Sequence, residues 1–141
     1  MPKLIINNRV IDRIPLNEFY LEDTSFKGLV FIQHGYMSTK EWGADYLALP
    51  LARAGYFVVC IDSYKHGERI EEPYITKNNG LCLKEVPVVI KWTALDIINL
   101  HKHHYSHFDK FDMIGVSLGG MIAYYVATKT DNVRKLIPVI S

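Results

Sequence analysis

A serine stands between glycines where two unlike segments of the chain meet. The run Gly115-Val116-Ser117-Leu118-Gly119-Gly120 closes an apolar stretch over residues 111–116 and opens a helical pattern over 118–128. This G-x-S-x-G spacing predicts a sharp strand-to-helix turn with the serine at its apex. A side chain presented this way holds a strained backbone conformation, and only glycine on either side lets neighbouring backbone pass that close. The helix below supplies free N–H groups and the positive end of its dipole, which suit a developing oxyanion. A glycine-rich turn with an idle serine is the plainer reading of the same residues.

Such a turn requires a sheet around it, and the chain supplies the strands. Continuous apolar runs over 29–32, 56–61, 111–116 and 133–140 are rich in β-branched residues and bounded by turn signals, so they read as strands buried on both faces. The opening segment, apolar at 4–6 and again at 10–14 with Asn7-Asn8 between, predicts a β-hairpin. Helical patterns fall between the strands. Residues 42–54 end at Gly55, a C-cap residue, and are kinked or restarted at Pro50. Residues 88–104 follow Pro87, with Val88, Trp92, Leu95 and Asn99 on one face. The order ββ, then βα three times, then β, is that of an α/β doubly wound, mostly parallel sheet with an antiparallel start.

The 141 residues make one domain, and a net charge of +1 with no basic stripe argues against nucleic acid as a partner. Cys60 and Cys82 form no metal or disulfide spacing, which fits a reducing compartment. No apolar run reaches membrane-spanning length and no leader pattern opens the chain, so a cytoplasmic protein without membrane contact is expected. No residue pattern calls for a cofactor. His101, His103, His104 and His107 read as a solvated helix end, where partly charged imidazoles suit the dipole, rather than as metal ligands.

Four segments in order resemble the α/β-hydrolase superfamily, and more narrowly its bacterial prolyl-oligopeptidase and dienelactone-hydrolase-like esterase branch. They are residues 31–36 (Phe-Ile-Gln-His-Gly-Tyr), residues 55–62, His66-Gly67-Glu68-Arg69, and residues 115–120. The resemblance runs from about residue 28 onward. It implies that Ser117 is the catalytic serine, attacking a carbonyl to form an acyl-enzyme that water releases. It implies oxyanion donors at the Leu118 N–H and, from the loop after the first parallel strand, the Tyr36 N–H, with Gly35 giving that loop its freedom. His34 is then a loop-holding residue rather than the base. Asp62 reads as a turn residue capping the segment after its strand, in preference to a catalytic acid. His66 is expected to line the pocket, Glu68 and Arg69 to form a solvated pair or meet substrate, and residues 70–84 to make a long loop or small lid. Serine at the turn excludes aspartate-nucleophile chemistry.

A serine nucleophile needs a base and an orienting acid, and in this fold both follow it in the chain. No histidine follows Ser117, and the one later carboxylate, Asp131, falls at the opposite sheet edge. The reading is therefore the N-terminal portion (residues 1–141) of a single hydrolase domain, lacking at least ~60 residues at roughly 30 per βαβ unit. Expected is a serine hydrolase of small acyl esters, inactive as this chain, whose exposed last strand invites self-association. A peptidase-type member and a catalytically dead binding module are the alternatives.

Overall fold

The computed structural model describes residues 2–69 and 85–139, and its six strands form one sheet in the order β1-β2-β4-β3-β5-β6. They are β1 Leu4–Ile11, β2 Ile14–Leu21, β3 Leu29–Gln33, β4 Phe57–Ile61, β5 Phe111–Val116 and β6 Val133–Val139. Pairing is antiparallel from β1 through β2 to β4, and parallel from β4 through β3 and β5 to β6. From β3 the chain steps one way to β4, then crosses back to β5 on the other side. The loops leaving β3 and β5 therefore part at the strands' C-terminal ends, where doubly wound sheets form their crevice.

The buried strands alternate between two apolar layers, as a pleat requires. Leu29, Phe31, Val59, Ile61, Phe111 and Met113 face the larger layer, under α2 (Val86–His104) and α3 (Leu118–Lys129). Val30, Ile32, Val58, Cys60 and Ile114 face the smaller one, which Ala48 and Ala52 close. Fully burying one ring such as Phe31 or Phe111 contributes about 2–3 kcal/mol. The expected doubly wound, mostly parallel sheet is the one observed, and among the described residues no helix is long and apolar enough to cross a membrane.

Four local expectations are corrected. The hairpin turns at Asp12-Arg13, both at positive φ (52° and 68°), while Asn7 and Asn8 lie within β1 opposite Glu18 and Asn17. An outer strand with a solvated face tolerates the asparagines, and the register follows the two-residue turn. The 42–54 helix is shorter and opens as a π-helical turn, Ala44–Ala48, before α1, Leu49–Arg53; the restart at Pro50 is as expected, since Pro50 falls in the first turn of α1, where its missing N–H is harmless. Gly55, at φ 106°, ends it as expected. Helix α2 buries Val89, Thr93, Ala94, Ile97, Leu100 and His101, leaving Val88 and Trp92 exposed. Small Thr93 and Ala94 let that face lie close to its neighbours, which the bulkier Trp92 face could not. Lastly, β3, β4 and β5 are buried on both faces, but β6 is not: Arg134, Lys135, Ile137 and Val139 are exposed along this outermost strand.

Candidate active site

Ser117 stands at the tip of β5 with φ 52° and ψ −115°, a conformation that non-glycine residues rarely adopt. Its surroundings enforce that geometry. The Ser117 N–H donates to the Val139 carbonyl of β6 (3.0 Å), and its own carbonyl accepts from Gly120 (2.9 Å) and Met121 (3.2 Å) to start α3. The side chain is exposed although every residue from Phe111 to Val116 and from Leu118 to Gly120 is buried. The helix can begin so close to the sheet because two side chains are missing. A Cβ on Gly119 would lie 2.2 Å from the Gln33 carbonyl oxygen of β3, and one on Gly115 would lie 2.1 Å from the Gly119 carbonyl. Both approaches exclude any L-side chain without backbone movement.

The loop after β3 comes directly against this turn. A Cβ on Gly35 would stand 3.5 Å from the Ser117 Cβ and 3.3 Å from the Val116 carbonyl oxygen. Gly35 thus flanks Ser117 on one side, with Leu118 at the first position of α3 on the other. The next residue, Met37, takes φ 64°, and Ser38 closes a turn by donating to the Gly35 carbonyl (3.2 Å).

Inside this loop, His34 is 2% exposed and both of its ring nitrogens are engaged. The Ser63 N–H donates to Nε2 (3.0 Å), so Nδ1 carries the proton and donates to the Gly35 carbonyl (2.8 Å). Burial pushes its pKa down to about 4, against the opposing effect of the Gly35 hydrogen bond. A neutral imidazole with no free lone pair bridges the two loops and has no capacity to take a proton from Ser117 without breaking that bridge.

The loop after β4 is built around Asp62, which is fully buried. Its carboxylate accepts the Lys40 N–H (2.8 Å), the Glu68 N–H (3.0 Å) and the Lys40 ammonium (3.4 Å). Lys40, 4% exposed, also meets Glu68 and Glu41, the latter at 3.3 Å. Burial disfavours this ammonium, but the hydrogen bond to Glu68 and the charges of Asp62 and Glu41 outweigh it and raise its pKa. Glu68 and Arg69 do not pair with each other: Arg69 reaches Asp96 of α2 (2.8 Å) and the Asp62 carbonyl (3.1 Å). A solvated pair was expected from their adjacency, but tight winding at Gly67–Arg69 sends the two side chains to different elements. The sequence did not single out Lys40, because a lysine in a polar stretch carries no mark of burial. Gln33, quoted within the 31–36 segment, was given no role of its own; it donates to Ser63 Oγ (2.6 Å) in the same buried cluster.

His66 lies beneath these loops, 2% exposed, with its ring 5.3 Å from that of His34 and edge-on to Tyr36 at 6.4 Å. At the other sheet edge, His101 is buried rather than solvated: its Nε2 donates to the Phe108 carbonyl (2.7 Å) and its ring packs on Phe111. His104 pairs with Asp12 in the hairpin turn (2.8 Å). Among the described residues no group of three or more His, Cys, Asp or Glu could hold a metal ion. Cys82 and the expected loop or lid over 70–84 lie outside the described residues.

Solved structures superpose on most of this chain. TT1662 from Thermus thermophilus superposes with a TM-score of 0.69 at 20% identity, over 90% of this chain and 52% of its own. A dienelactone hydrolase from Anabaena variabilis gives 0.69 at 19% identity, over 97% of this chain and 62% of its own. This is the α/β-hydrolase fold. The fold also carries other chemistry, since epoxide hydrolase A from Mycobacterium thermoresistibile superposes with a TM-score of 0.60 at 17% identity. The chain spans 52% and 62% of the length of the first two of these structures. No family model and no curated protein matches the sequence.

Proposed function

We propose that this chain is the nucleophile-bearing part of a serine hydrolase that acts on carboxylic esters. The backbone of Ser117 carries the reading: φ 52° and ψ −115° at a strand tip, with an exposed side chain, is a strained conformation that the flanking glycines alone make accessible. In this reading Ser117 Oγ attacks the ester carbonyl. The Leu118 and Tyr36 N–H groups hold the oxyanion, water releases the acyl group, and the substrate is a small acyl ester.

The same geometry argues that the 141 residues turn over slowly by themselves. No histidine follows Ser117 in this sequence, and the ring nitrogens of His34 are both engaged. A nucleophile without its base loses several orders of magnitude in rate. The decisive experiment is covalent labelling with an alkyl fluorophosphonate, located by peptide mass spectrometry. Slow, single-site modification at Ser117, absent in Ser117→Ala, is expected, together with negligible hydrolysis of 4-nitrophenyl acetate. Labelling elsewhere, or unchanged by Ser117→Ala, overturns the nucleophile; fast Ser117-dependent hydrolysis overturns the absence of a base.

A further inference from the structure

At the end of the sheet away from Ser117, a cavity of about 370 Å³ opens where three strands begin. Lys27 and Gly28 lead into β3, residues 107–110 lead into β5, and Arg134 is the second residue of β6. Strand β5 separates the cavity from the Ser117 turn, and its six residues at about 3.3 Å each set the two about 20 Å apart. No residue of the candidate active site lines it. Its volume falls within the range of small-molecule sites, about 300–1,000 Å³.

The walls combine two kinds of group. Phe26 and Phe108 supply an apolar side, with ring centroids 6.0 Å apart, and both rings brace on Phe57 (5.3 and 5.8 Å). The polar side carries Lys27, Lys110 and Arg134 against Asp109. Arg134 is fixed in place. Its Nε and Nη2 donate to the two oxygens of Asp112 (3.0 and 2.7 Å), and the Lys135 N–H donates to the same carboxylate (3.1 Å). Gly28 leaves room for that guanidinium, since a Cβ there would stand 3.0 Å from Nη2. Nη1 has no partner among the described residues, and neither Lys27 nor Lys110 is in an ion pair among them. Three cations against the carboxylates of Asp109 and Asp112 leave one positive charge unmatched.

These features select a ligand class. One excess charge favours a monoanion over a phosphate dianion, a guanidinium edge already oriented favours a carboxylate, and the phenyl rings favour an anion with an apolar body. We infer that this cavity is a second binding site, separate from the crevice beside Ser117, for organic monocarboxylates with a small apolar body. Arg134 and the lysines hold the carboxylate, and Phe26 and Phe108 meet the body.

The test is a titration of the whole ¹⁵N-labelled chain with benzoate, benzamide and inorganic phosphate, read by amide chemical shifts. Benzoate is expected to shift residues 26–28, 107–110 and 134 along one saturable curve. Benzamide, with the same ring and no charge, should bind roughly tenfold more weakly, as loss of a charge-assisted hydrogen bond implies. Phosphate, charged but without an apolar body, should bind more weakly than benzoate as well. Lys110→Gln, at an exposed position, should weaken benzoate binding about threefold and leave the rest of the spectrum in place. Absence of a saturable shift at these residues overturns the inference. So do shifts confined to residues 35–37 and 117–119, which would put the carboxylate in the crevice. Benzamide or phosphate binding as tightly as benzoate, or benzoate binding unweakened by Lys110→Gln, overturns it too.

Discussion

Gly119 and His34 show how far single residues control the candidate site. Replacing Gly119 by alanine sets a methyl group 2.2 Å from the Gln33 carbonyl oxygen, so the first turn of α3 or the end of β3 must shift. Gly119→Ala is expected to destabilise the fold by about 2 kcal/mol, within the range for overpacking, and to abolish labelling of Ser117; denaturant unfolding and the labelling assay check the two halves. His34 makes stability depend on pH. Its pKa is about 4 when folded and about 6.5 when unfolded, so between those values the unfolded chain binds more protons. Stability is therefore complete above about pH 6.5, falls as the pH drops toward 4, and loses roughly 3 kcal/mol over that window. His66, also shifted downward, adds in the same direction. Urea midpoints from pH 7.5 to 4 should fall accordingly, and His34→Asn should flatten the profile.

Between elements, the contact that matters most is Lys40 with Asp62, which joins the loop after β3 to the loop after β4. Lys40→Met removes the ammonium from beside a fully buried carboxylate, and a buried charge stripped of its partner costs about 3 kcal/mol or more. The expected result is a comparable loss in unfolding free energy, with faster amide exchange confined to residues 34–41 and 62–69. This junction also marks where reading the sequence stops. Strands β3, β4 and β5 and the Ser117 turn were legible because unbroken apolar runs and glycine spacing act locally. The hairpin turn was not, since Asp12-Arg13 lacks the Asn-Gly or Asp-Gly signal that usually announces positive φ. The buried face of α2 was not either, because apolar residues lie on more than one side of that helix and only its neighbours decide between them. Lys40, Gln33 and the inward turn of His66 depend on contacts across 20 or more positions, which no local pattern encodes.

At the scale of the molecule, β6 is the outermost strand on its side of the sheet and is less covered than its neighbours. We expect its amides to exchange faster than those of β5, and light scattering to show association through this edge. The edge is partly guarded, however. Val139 faces β5 by accepting from Ser117, so Pro138, one residue earlier, turns its nitrogen outward where no donor exists to receive another strand. Exchange in β6 as slow as in β5, in a strictly monomeric chain, would refute both expectations. The two sides of the sheet are also unequally clad. Among the described residues, eighteen buried residues form the layer under α2 and α3, against eight under the Ala44–Arg53 segment, where alanines 48 and 52 make the contact. On warming, the thin side should peel away first, and it is continuous with the loop that carries Gly35 and Tyr36. The crevice beside Ser117 would then lose its shape several degrees before the strands melt, in a protein that still looks folded by circular dichroism.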